Sequence, residues 1–93
     1  MAVMGHGIRH AAHADVARRL RRAEGHLRGV IGMLEAGRPC VELAQQLAAI
    51  EAAVAKAKRE LIQTHIDQCL DRAVAEGRAE EALGEMRLIA RYL

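Results

Sequence analysis

The sequence predicts an all-α protein whose protomer has three helices, a long antiparallel hairpin followed by a short C-terminal helix. Three observations predict it. Apolar residues recur at alternating steps of four and three over two long stretches, which keeps one stripe on one face of a helix. No Gly or Pro interrupts the chain between Pro39 and Gly77. Tyr92 is the only aromatic among 93 residues, and the 52% of apolar residues is otherwise Ala, Leu, Ile, Val, Met and Cys. Such side chains build helix seams, not thick cores. A chain of this length is one small domain at most, which excludes a two-domain enzyme with its own cleft.

Residues 1–12, with two Gly and two His and no sustained periodicity, read as a flexible tail, and residues 13–93 as a single helical domain. Helical order is expected from Asp15, a candidate N-cap, with Val16, Leu20, Ala23, Leu27, Val30 and Leu34 as the stripe. The first helix should end at Ala36, because Gly37 suits the left-handed position beyond a helix C-terminus. Pro39 fits the first turn of the second helix, where a missing N–H leaves nothing unsatisfied. Leu43, Leu47, Ile50, Val54, Ala57 and Leu61 carry that helix on, and it is expected to run to about Ala75. Ala82, Glu85, Met86, Ile89 and Leu93 mark a short third helix after Gly77. A two-layer hairpin without aromatics exposes too much of its stripes to stand alone, so oligomerisation is the expected remedy.

No run of about 18 apolar residues exists to span a bilayer, and the opening residues lack the apolar core of a secretory signal. A cytoplasmic protein is therefore expected, in which Cys40 and Cys69 are reactive thiols, metal ligands or buried apolar fillers before they are a disulfide. His65 and Cys69, four residues apart, share one helix face at chelating spacing. Imidazole and thiolate suit Cu(I), Zn(II) or Ni(II), not Mg(II) or Ca(II). A third ligand is needed. Cys40 is the candidate, at a helix start whose dipole favours thiolate. It precedes His65 by 25 residues, about 37 Å along one helix. One protomer cannot close that distance, but two antiparallel second helices related by a two-fold axis can, which puts the site at a subunit interface. Against this stands packing, the usual fate of a Cys on an apolar stripe.

Net charge is only +2, but it is unevenly spread. Residues 1–38 hold seven Arg against three acids, and residues 39–93 seven Lys and Arg against nine acids. Arg18, Arg19, Arg21 and Arg22, with Arg28, should face Lys56, Lys58 and Arg59 across the hairpin and form one basic patch. That patch is either a solvated face or a phosphate-binding surface with steep salt dependence. His6, His10 and His13 lie at the N-terminal end, where they belong to a disordered tail or add a metal ligand. His26, off the main stripe, reads as a surface group or an interhelical hydrogen bond.

Arg19-Leu20, Ala23-Glu24-Gly25-His26-Leu27-Arg28-Gly29, Met33-Leu34-Glu35, Cys40, Gln45-Gln46-Leu47-Ala48-Ala49-Ile50 and His65-Ile66-Asp67-Gln68-Cys69 together resemble the copper-sensitive operon repressor family, over about residues 15–93. The resemblance implies all-helical dimers that pair into tetramers, a dimer of dimers, and that bind operator DNA without a helix-turn-helix until an inducer releases it. For the copper branch it implies Cu(I) held by Cys40 of one chain with His65 and Cys69 of the other. It also implies that Glu85 links the ligand histidine to the rest of the fold, and that Arg19, Lys56 and Arg59, with Arg22, form the DNA surface. Pro39 departs from the Tyr common in the copper branch.

His65 argues against the persulfide-sensing branch. The nickel branch adds an N-terminal histidine, for which His6 and His10 are the candidates, although Ile8 occupies the aligned position. The expectation is a metal-responsive repressor, not an enzyme, induced by Cu(I). The alternatives are an Ni(II)- or Co(II)-responsive repressor of the same family and a structural helical oligomer that senses nothing. A Cys–His enzyme would need a pocket and oxyanion donors that a thin Ala/Leu hairpin does not offer.

Overall fold

A computed structural model describes residues 11–93, with backbone only for Ala11, Ala12 and Cys69. All regular structure among them is helical. Helix α1 spans Ala11–Glu35 and α2 spans Cys40–Thr64. One π-helical turn, His65–Cys69, leads into α3, Leu70–Ala75. Helix α4, Ala79–Ile89, follows and closes in a short 3-10 turn, Ala90–Tyr92. The tail assigned to residues 1–12 lies outside the described residues up to position 10, whereas Ala11 and Ala12 are already helical.

Asp15 therefore does not start α1. Ala-rich sequence costs nothing to extend in a helix, and Asp15 instead pairs with Arg18 one turn on, at 2.9 Å. Helix α1 ends at Glu35, one residue before the expected Ala36, and ends in the expected way. Gly37 adopts φ +75°, its N–H donates to the carbonyl of Leu34, and the Arg38 N–H donates to that of Met33. This pair of hydrogen bonds satisfies carbonyls that the helix end would otherwise orphan. Gly77, also at φ +75°, repeats it after α3, with its N–H on Val74 and that of Arg78 on Ala73. Pro39 sits just outside α2, and its carbonyl accepts the first helical bond, from Leu43. The two glycines thus divide the chain where the sequence placed its turns.

The expected second helix, Pro39 to Ala75, is helical almost throughout but not uniformly so. One turn toward its C-terminal end widens to π geometry. Asp67 accepts from the Gln63 side chain at 3.1 Å, bridging the end of α2 and this turn.

The helices form two compact units, one whose described part is 11–57 and one of 58–93. In the first, Val16, Ala23 and Val30 of α1 and Ile50 and Ala57 of α2 are buried. The α1 residues recur every seventh position. Leu20, Leu27 and Leu34, the other half of the same stripe, stay 43%, 43% and 62% exposed, as do Leu47 and Val54 at 44% each. Half of each predicted seam is filled within the unit and half is left open. In the second unit Ile62 and Ala73 are buried, and Glu80 and Glu81 occupy the first turn of α4, where the helix dipole favours acids.

Candidate metal centre and basic surface

The second unit holds the most specific polar contact. His65 opens the π turn and Glu85 lies in the middle of α4. The turn at Gly77 reverses the chain between them, bringing Nε2 of His65 to 2.8 Å from Oε1 of Glu85. Both side chains are partly buried. A carboxylate on one ring nitrogen fixes the tautomer and orientation of an imidazole and makes its other nitrogen a better donor to a metal.

The backbone of Cys69 closes the same π turn. In a π turn, as in an α turn, positions four apart lie on nearly the same side of the backbone. Single π turns within helices recur at functional sites. Nothing in the pattern His65-Ile66-Asp67-Gln68-Cys69 distinguishes such a turn from ordinary helix, which is why the periodicity predicts none.

Cys40 is the first residue of α2, reduced and exposed. It belongs to the first unit and His65 and Cys69 to the second. Among the described residues no group of three or more His, Cys, Asp or Glu side chains is gathered closely enough to hold a metal ion. The donor chemistry nonetheless fits a soft ion, since two thiols and an imidazole are the ligands Cu(I) prefers. His6 and His10 lie outside the described residues.

The basic candidates are all on the surface. Arg19 and Arg22 of α1 and Lys56 of α2 are exposed in the first unit, and Arg59 is exposed in the second. Asp15 and Glu24 draw off Arg18 and Arg28. No helix among the described residues is long and apolar enough to cross a membrane. A side-chain bond joins the two helices of the first unit. His26, near the middle of α1, places Nε2 2.5 Å from Oε1 of Gln46 on α2. Its signal in the sequence is a polar residue beside the apolar stripe on each helix; the position of His26 points to such a bond without naming Gln46 as the partner.

Residues 12–91 match the model of the metal-sensitive transcriptional repressors. The copper-sensing transcriptional repressor CsoR of Mycobacterium ulcerans is 38% identical over 68 residues, 73% of this chain and 58% of that protein. The chain thus matches little more than half the length of that relative. Among solved structures, the copper-sensing repressor CsoR with Cu(I) from Geobacillus thermodenitrificans superposes with a TM-score of 0.82 at 31% identity, covering 91% of this chain and 90% of that one. The nickel-responsive transcriptional regulator InrS gives 0.75 at 35% identity, covering 97% and 100%. These relatives are named as regulators of transcription and none as an enzyme. By fold, by sequence and by the span of the match, the chain belongs to the family of metal-sensitive transcriptional repressors.

Proposed function

We propose that the chain is a repressor that binds operator DNA without metal and releases it when Cu(I) binds between two subunits, at Cys40 of one and His65 and Cys69 of the other. The observation that carries this reading is the His65–Glu85 contact at 2.8 Å, which orients an imidazole beside a thiol-bearing turn in a chain of the metal-sensing family. Cu(I), when bound, supplies a soft centre for thiolate and imidazole donors. The remaining steps belong to the chain. Glu85 holds Nε2 of His65, so any shift of the histidine is passed to α4. Cys40 stands at one end of a 25-residue helix, about 37 Å long, and the ligand pair follows the other end. A second copy running antiparallel brings the opposite ends together.

That second copy also covers the half-exposed leucines, and two such dimers pair as a tetramer. Arg19, Arg22, Lys56 and Arg59 then face the phosphates. Linkage requires DNA to weaken metal binding by the factor by which metal weakens DNA binding, typically about 5 to 150-fold. Ni(II) or Co(II) is the second reading, favoured by the 35% identity to the nickel-responsive regulator, with His6 or His10 as the added ligand.

The test is operator binding by fluorescence anisotropy, with and without Cu(I) and Ni(II). Wild type should bind without metal and release with Cu(I). Arg19→Glu and Lys56→Glu should weaken binding and flatten its salt dependence by about one unit of slope for each phosphate no longer neutralised, with metal affinity unchanged. Release by Ni(II) alone would transfer the function to the nickel reading, and failure to bind duplex DNA would end both.

A further inference from the structure

We infer that His26 and Gln46 form a positioning pair that sets the angular register of α1 against α2 and so the presentation of the DNA-facing arginines, an inference that rests on the repressor reading. Nε2 of His26 is 2.5 Å from Oε1 of Gln46, a part-buried bond between residues 20 apart in sequence. Asp15–Arg18, Glu24–Arg28 and Arg38–Glu42 join residues three or four apart and have no bearing on how the two helices meet.

The buried residues of this unit are poor at fixing register. Val16, Ala23 and Val30 repeat every seven positions, Ile50 and Ala57 do the same, and all are small or aliphatic. Contacts of this kind are non-directional, and a rotation or slide presents like to like. A polar pair among apolar helix contacts is a well-attested device for specifying one register. The turn at Gly37 fixes only the near end. Arg22 and Arg19 precede His26 by four and seven residues and so lie on its side of α1, further from the turn. Away from the turn, α1 is held against α2 at His26, where Nε2–H donates to the Gln46 carbonyl oxygen. A shift of one helical turn, about 5.4 Å, breaks that bond and leaves two partly buried polar groups without each other.

Three variants test this in the full-length protein: His26→Leu with Gln46→Leu, His26→Leu alone, and His26→Gln, whose amide can still donate to Gln46. The double variant should fold with thermal stability near or above wild type, because an apolar pair replaces a polar one. Its operator affinity should fall about tenfold, and the salt slope should drop by about one for each phosphate that the displaced arginines no longer reach. His26→Gln should keep the wild-type slope and His26→Leu should not. A folded double variant with wild-type affinity and slope overturns the inference. If the double variant does not fold, equal slopes for His26→Leu and His26→Gln overturn it. Methyl NOEs from Ile50 to α1 read the register without DNA: they should move to new α1 partners in the leucine variants, and an unchanged pattern contradicts the positioning role. Because this readout needs no DNA, a wild type that fails to bind duplex would sink the repressor reading and still leave the pair decided.

Discussion

Glu85 has the most sharply defined geometry of the candidate residues. Its carboxylate meets Nε2 of His65 at 2.8 Å, and it keeps partial access to water, so its loss should be felt at the metal and little in the fold. Glu85→Gln retains an acceptor without the charge. Partners of ligand histidines typically contribute about 10 to 100-fold in metal affinity, and a fall of that order is expected in competition with a Cu(I) chelator, at unchanged helicity. Wild-type affinity would remove Glu85 from the site. His65 and Cys69 stood out as candidates because imidazole and thiol at four-residue spacing is a rare combination on an amphipathic helix, and Cys40 as the chain's other thiol. The spatial relation of His65 to Glu85 was not legible from spacing, since it depends on a chain reversal at Gly77, and it entered only through resemblance.

At the scale of elements, the helices were readable where backbone chemistry is local. Gly37 and Gly77 both take φ +75° and both end a helix with the same pair of hydrogen bonds. Gly37→Ala would force a Cβ into the left-handed region, which costs about 1 to 2 kcal/mol, although nothing within 4 Å opposes the added atom sterically. Thermal unfolding should therefore move down by several degrees; an unchanged midpoint would mean that the turn relaxes. The start of α1 was misplaced because Asp15 is an equally good N-cap and intrahelical partner, and only the surrounding alanines decide between them. The π turn escaped for a related reason. Its five residues follow helical periodicity, and nothing in their composition sets the widening apart.

At the scale of the molecule, the sequence carries more apolar stripe than one chain can bury. Val16, Ala23 and Val30 are covered, but Leu20, Leu27 and Leu34 on the same stripe are not. If these leucines are the seam of an oligomer, Leu27→Glu should place a charge in each copy of it, and light scattering should report a smaller species than wild type at the same concentration. An unchanged mass would place the interface elsewhere. The quaternary claim then has a direct chemical test. Cys40→Ala and His65→Ala chains should each bind Cu(I) weakly. When the two are mixed and allowed to exchange subunits, each heterodimer regains one intact site, so tight binding should return at about one quarter of the wild-type stoichiometry. Recovery at that level places the ligands on different chains. If mixing restores nothing while wild type binds tightly under the same conditions, the ligands lie within one chain and the intersubunit site is wrong.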